Sequence, residues 1–302
     1  MKFNFKIQQY QTEAVNSVVK VFKGQPFYDR IKYIRDIGNS SIEPFQIKFS
    51  HEEESIDLSG NIGFINELIE LNDEQLLGNI REIQTRNNIK LSQTLDKELG
   101  RVSLDIEMET GTGKTYAYIK TMFELNKLYG WSKFIVVVPS IAIREGVKKS
   151  FEMTIDHFMQ EYGKKARYFV YNSSNLTELD NFAASAGINV MIINTQAFAS
   201  SLKEGANNKE SRIIYSKRDE FGSRRPIDVI KANRPIIIMD EPQKMGGEVT
   251  QNALKNFNPL FSINYSATHA KQHNLVYVLD ALDAYNKRLV KKIEVKGFEL
   301  KN

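Results

Sequence analysis

The stretch VSLDIEMETGTGKTYAYIKTMFELNKL (102–128) decides the fold. Its first part, VSLDIEM (102–108), alternates apolar and polar residues and reads as a strand. A glycine-rich turn follows, and a helix is expected over 114–128. A strand that enters a helix through T-G-T-G-K-T (110–115) suits the binding of phosphate. Glycines at 111 and 113 let backbone N–H groups turn inward, and the helix N-terminus adds its positive dipole end. Thr110, Gly111, Thr112, Gly113, Lys114 and Thr115 make up that cradle. Lys114 is placed to reach the β- and γ-phosphates of ATP, and the Thr115 hydroxyl to ligate Mg²⁺. The strict pattern asks for glycine five residues before Gly113, where this chain has Met108.

Downstream of this stretch, strands and helices alternate. Strands are expected at KFIVVVP (133–139), ARYFVYN (166–172), INVMIINT (188–195), RPIIIMDE (234–241) and FSINYSAT (261–268). Helices are expected at about 141–162 and around 248–256. This order implies an α/β fold, a parallel sheet with helices on both faces. Near-continuous apolar strands imply burial on both sides. One strand ends in two carboxylates, IIIMDEPQ (236–243). Asp240 would hold the Mg²⁺ through water, and Glu241 would polarise the attacking water. Two acids after a strand are a weak signal alone, but with a phosphate loop in the same sheet they become a strong one.

Composition sets the bounds. Hydrophobic residues make up 41% and charged residues 26% of 302, which excludes a mostly disordered chain. No apolar run reaches the ~18 residues a membrane helix needs. Cysteine is absent, which removes a disulfide framework and thiolate chemistry. No signal segment opens the chain, so the cytoplasm is the expected compartment. The balance of 41 Lys+Arg against 37 Asp+Glu gives only +4, so any nucleic-acid groove must come from clustered basic residues.

Upstream, QQYQTEAVNSVVKVF (8–22) has one apolar helical face, ended by Gly24 and Pro26. Residues 25–100 read as an insertion with one or two helices, including FINELIELNDEQLLGNIREI (64–83) and the charged loop HEEES (51–55). The tail, 271–302, combines a helical stretch, YVLDALDAYNKRLV, with the alternating KKIEVKGFELKN. Within that tail Glu294-x-Lys296 has no supporting core for a nuclease site. SRIIYSKRDEFGSRRP (211–226) carries Arg212, Lys217, Arg218, Arg224 and Arg225 with Tyr215 and Phe221 interleaved. That composition suits tracking and stacking on a nucleic-acid strand, though a solvated loop is the slightly favoured reading.

T-G-T-G-K-T, D-E-P-Q and S-A-T (266–268), in that order, resemble motifs I, II and III of superfamily 2 helicases. The relaxed T-G-x-G-K-T form is common in helicase-type ATPases, which accommodates Met108. D-E-P-Q, with MET before the glycine loop and VVPSIAIREGV (137–147) after it, is similar to the restriction subunit of type III restriction–modification enzymes. The resemblance implies a RecA-like first motor domain over 1–270, with its core at 101–270. Residues 271–302 would then lead toward a second RecA-like domain. It also implies ATP, Mg²⁺, DNA and a methylating partner subunit, with no membrane.

Residue by residue, Tyr10 and Gln11 match the upstream adenine-reading motif, with a solvated helix residue as the lesser reading of Gln11. Pro139, Ser140 and Arg144 match motif Ia, and Thr195 and Gln196 match motif Ib. Both motifs contact the nucleic-acid backbone, which positions a strand without reading sequence. Ser266 and Thr268 would couple nucleotide state to DNA grip, and Gln243 would bridge the two. The arginines aimed at the γ-phosphate would come from the second domain, so the chain alone would turn ATP over slowly. The other reading is a truncated nucleotide- or DNA-binding module without useful catalysis. A P-loop kinase fits S-A-T and motif Ia poorly.

Overall fold

The computed structural model describes residues 5–28, 33–34, 63–199, 213–245, 247–269 and 271–291. A seven-stranded sheet forms the centre. Its strands are β3 (Ser103–Met108), β4 (Lys133–Val138), β5 (Arg167–Val170), β6 (Asn189–Asn194), β7 (Ile236–Asp240), β8 (Ser262–Ser266) and β9 (Asn274–Leu279). The order is β5-β6-β4-β7-β8-β3-β9, and every pairing is parallel. The α/β parallel sheet expected from the sequence is therefore present.

Alternate residues of the apolar strands face opposite cores, as the strand period of two requires. Phe134, Val136, Val138, Ile236 and Ile238 join a core with α1 (Gln9–Val19), α2 (Asp73–Arg86), α3 (Lys114–Tyr129) and α4 (Ile141–Tyr162). Ile135, Val137, Ile237 and Met239 join the second core with α5 (Thr177–Ala184), α6 (Pro226–Ala232) and α7 (Glu248–Lys255). Helices thus cover both faces. None of the described helices is long and apolar enough to cross a membrane.

Two expectations need correction. The first is the helix over 64–83. It starts only at Asp73, where Asn72 and Gln75 form a reciprocal capping box. The residues before it run as irregular chain, because their polar groups are already engaged elsewhere. Gln25 bonds Leu68 O and Glu70 N, in the way a neighbouring strand would. Asn66 donates to Lys133 O at 2.9 Å and Arg234 O at 3.0 Å, and accepts from Ser132 N and Lys133 N at 2.8 and 3.0 Å. Within the insertion, β1 (Tyr33–Ile34) pairs with β2 (Gly63–Phe64) in antiparallel fashion. HEEES lies outside the described residues.

The second correction concerns the sheet's edge. FSINYSAT is not the last strand. NLVYVL (274–279), half of which was assigned to a helix, lies parallel to β3 as β9. Helix α8 (Ala281–Asn286) begins only after Asp280, whose side chain accepts from Asp283 N at 2.8 Å. Apolar spacing in so short a run fits either period, and the β-branched and aromatic content favours the strand. The sheet therefore extends past the expected core limit at 270.

Asn66 gives a first prediction. Asn66→Ala would leave two backbone N–H groups and two carbonyls without these partners at the start of β4 and β7. The expected loss is about 2–4 kcal/mol, or roughly 4–12 °C in Tm by circular dichroism. A change below ~1 kcal/mol would show that those groups find partners elsewhere.

Candidate nucleotide site

β3 and β7 are separated in the sheet by β8 alone, so their carboxyl ends lie roughly 10 Å apart. The chain leaves β3 through the glycine loop and enters α3 at Lys114. Gly111 and Gly113 have φ of 84° and 89°, the left-handed region that strains any side chain. A Cβ on Gly113 would also lie 2.4 Å from Gln11 Nε2. Thr112 closes the turn by bonding Glu109 O through N–H and hydroxyl. Met108 occupies the place of the missing glycine with its side chain fully buried, and its carbonyl accepts from Lys114 Nζ at 3.3 Å.

From the other strand, Glu241 Oε1 meets Lys114 Nζ at 2.9 Å, with both side chains largely buried. Glu241 has φ 61° and ψ 56°. A non-glycine residue pays about 1–3 kcal/mol there, a strain that marks functional sites. Gln243 Nε2 donates to Glu241 Oε2 at 2.5 Å, and Ser266 Oγ donates to Gln243 Oε1 at 2.7 Å. Thr268 N in turn donates to Ser266 Oγ at 3.1 Å. Lys114, Glu241, Gln243, Ser266 and Thr268, read from three separate motifs, thus form one continuous chain of contacts.

The two acids are shifted in opposite directions. Burial pushes Asp240 up to about 6, and the Glu241 charge adds to this. Burial also acts to raise Glu241, but the bonds from Lys114 and Gln243 outweigh it and hold that carboxyl below its ordinary value. Asp240 Oδ2 accepts from Tyr118 Oη at 3.3 Å. The sequence reading missed Tyr118, which the three-residue spacing from Thr115 along one helix face could have flagged.

Tyr10 Oη and Gln11 Nε2 donate to Thr112 O at 2.9 and 3.1 Å. The upstream motif therefore docks on the phosphate loop across about a hundred residues of sequence, and Gln11 is buried rather than solvated. Ser140 and Arg144 follow β4, and Thr195 and Gln196 follow β6, so all four sit at the same sheet edge as the loop. Ser140 Oγ caps α4 by accepting from Ile143 N at 3.4 Å, and Arg144 pairs with Glu145 at 3.0 Å. In the basic segment, Arg224 bonds Asp180 at 2.8 Å and lies over the buried Phe221 ring at 4.4 Å. Arg225 pairs with Asp228 at 2.6 Å, and Tyr215 Oη donates to Phe198 O at 3.5 Å. These side chains are occupied within the fold; Arg212 lies outside the described residues.

The donor set fits Mg²⁺. The Thr115 hydroxyl and the Asp240 carboxylate are hard oxygen ligands, and Mg²⁺ characteristically takes one or two protein oxygens and completes its shell with phosphates and water. Among the described residues no group of three or more His, Cys, Asp or Glu could hold a metal alone.

Among solved structures, a nuclease-deletion mutant of the Type ISP restriction–modification enzyme LlaGI, in complex with a DNA substrate mimic, is similar with a TM-score of 0.41. It has 13% identity over 73% of this chain and 21% of that one. The EcoP15I Res subunit of Escherichia coli is 31% identical over 242 residues, 76% of this chain and 25% of the relative. The EcoPI Res subunit of Escherichia phage P1 is 29% identical over 285 residues, 90% of this chain and 29% of the relative. The chain thus spans between a quarter and a third of the length of these relatives. The family profile described as "Type III restriction enzyme, res subunit" matches residues 4–271, so the chain belongs to the type III restriction enzyme Res subunit family.

Proposed function

We propose that this chain is the ATP-hydrolysing first motor domain, running on through β9, of a DNA translocase of the type III restriction kind. The residues after that strand lead toward a second motor domain. The observation that carries this reading is the meeting of Lys114 and Glu241 at 2.9 Å, with Asp240 beside them. A phosphate loop and a paired-acid strand converge on one point, as in-line phosphoryl transfer requires. Thr110, Gly111, Thr112 and Gly113 cradle the phosphates, and Gln11 reads the adenine edge. Thr115 and Asp240 would hold Mg²⁺, which would offset charge on the phosphates.

Phosphates arriving at Lys114 compete with Glu241 for its ammonium. Released from Lys114, Glu241 orients the attacking water and keeps its bond to Gln243. Through Gln243 the change reaches Ser266 and Thr268, and so the end of β8. Ser140, Arg144, Thr195 and Gln196 face DNA phosphates at the same edge. The partners are DNA and a methylating, sequence-reading subunit, and the compartment is the cytoplasm.

Steady-state ATP hydrolysis with and without duplex DNA tests this. DNA-stimulated turnover that disappears in Lys114→Ala supports the motor. Nucleotide binding without hydrolysis at any chain concentration would instead make the chain a binding module.

A further inference from the structure

Tyr118 is fully buried between α3 and the sheet. Its ring meets Tyr265 of β8 edge-on, with centroids 5.5 Å apart. Its hydroxyl reaches across to β7 and donates to Asp240 Oδ2 at 3.3 Å, a contact spanning 122 residues of sequence. Thr115 lies three residues earlier on the same helix face, which sets its hydroxyl beside the phenol. A hydroxyl that ligates a cation must direct a lone pair at it and send its proton elsewhere. A carboxylate that holds the ion's water through one oxygen is best fixed through the other. A phenol beside both can meet both needs: it donates to Asp240 and offers a lone pair to Thr115.

We propose that Tyr118 is a positioning residue for the metal, orienting the Thr115 hydroxyl and the Asp240 carboxylate as one preformed pair of Mg²⁺ ligands. This rests on the nucleotide-site reading above and adds a residue to it. The device ties the metal site to α3 and β8 together, so a shift of β8 relative to α3 would loosen both ligands at once. One turn further along, Thr121 bonds Tyr265 Oη at 3.0 Å and touches neither ligand, which makes it a control on the same buried face.

The test is metal affinity, measured apart from turnover. Mn²⁺ is titrated into the chain saturated with a non-hydrolysable ATP analogue, and free Mn²⁺ is followed by electron paramagnetic resonance. Fluorescent nucleotide binding in EDTA is measured alongside. Tyr118→Phe is expected to weaken Mn²⁺ binding about tenfold, the usual cost of losing an outer-shell partner. Its affinity for nucleotide in EDTA should not change. Thr121→Val should leave both unchanged.

Unchanged Mn²⁺ affinity in Tyr118→Phe overturns the proposal, as does an equal loss in Thr121→Val. A matching loss of nucleotide affinity in EDTA also overturns it, because it would mark Tyr118 as general scaffold. If Tyr118→Phe fails to fold, 3-fluorotyrosine at 118 replaces it. Its fluorine resonance should move when Mg²⁺ joins the analogue-bound chain, and an unmoved resonance overturns the proposal. Failure of the unaltered chain to bind nucleotide at all would overturn the nucleotide site itself, and this inference with it.

Discussion

Glu241→Gln is expected to leave ATP bound and to slow its hydrolysis by about 10²–10⁴-fold, the range that a positioned base contributes. The amide keeps the shape and the bond to Gln243 but cannot polarise water. The binding side follows from the ion pair. Lys114 and Glu241 side chains are 10% and 13% exposed, so each depends on the other for its charge partner. Removing the carboxylate leaves Lys114 nearly buried and unpaired until phosphate arrives. Glu241→Gln should therefore bind nucleotide at least as tightly as the unaltered chain, and gain more thermal stability from it. Lys114→Ala should do the opposite. Losing one charge-assisted bond, about 1.5–3 kcal/mol, weakens ATP binding by about 10–100-fold. Single-turnover hydrolysis with chain in excess over labelled ATP, beside equilibrium binding, separates the two. Hydrolysis at an undiminished rate in Glu241→Gln would remove Glu241 from the mechanism.

The readable parts of this fold were those written in contiguous sequence. Runs such as FIVVVP and PIIIM declare strands buried on both faces, and the structure places alternate residues of β4 and β7 in two separate cores. T-G-T-G-K-T declares its glycines because only a turn with positive φ at 111 and 113 explains both. The missed parts depend on partners far away in sequence. FINELIEL carries helical spacing up to Asn72, yet Gln25 and Asn66 hold its backbone outside any helix. YVL (277–279) reads as the start of a helix until β3 offers it a parallel edge.

The site divides the same way. Lys114 and Glu241 could be joined because each sits in a recognisable motif. Asp105 could not, since nothing local marks its carboxylate among the polar positions of an alternating strand, and Tyr118 carries only its three-residue spacing from Thr115 as a signal. The basic segment shows the converse. Arg224 and Arg225 look like a nucleic-acid surface in sequence, and in the structure they answer Asp180 and Asp228.

Asp105 carries the second large effect. The connection from β8 to β9, residues 267–273, joins parallel strands that lie on either side of β3. Such crossovers usually take about a dozen residues or more, most often with a helix. This one is a short strap, and Asp105, fully buried in β3, pins it. The carboxylate accepts from Asn264 Nδ2 at 2.7 Å, His273 N at 2.6 Å and His273 Nδ1 at 3.0 Å. His269 Nδ1 stands 4.0 Å away, and Glu98 takes the other imidazole nitrogen while pairing with Lys271.

Burial alone would lower the His273 pKa. The bond and charge of Asp105, then Glu98 and Asp96, overcome that and push it up to about 9. A histidine whose folded pKa lies above its unfolded ~6.5 stabilises the fold fully below pH ~6.5, and loses that contribution as pH rises through 9. The size is about 3 kcal/mol at most. In denaturant unfolding at pH 6, 7.5 and 9.5 the share of stability due to His273 should therefore fall with pH, against the opposite trend of buried Lys133, whose ammonium is lowered to about 7. Asp105→Asn leaves the imidazole with Glu98 as its remaining counter-charge, and is expected to cost about 3–5 kcal/mol near neutral pH. The same variant should lessen the fall with pH, because without Asp105 the imidazole holds its proton less tightly. A fall with pH that persists unchanged in Asp105→Asn would show that the titrating group lies elsewhere, and that the strap is held by packing alone.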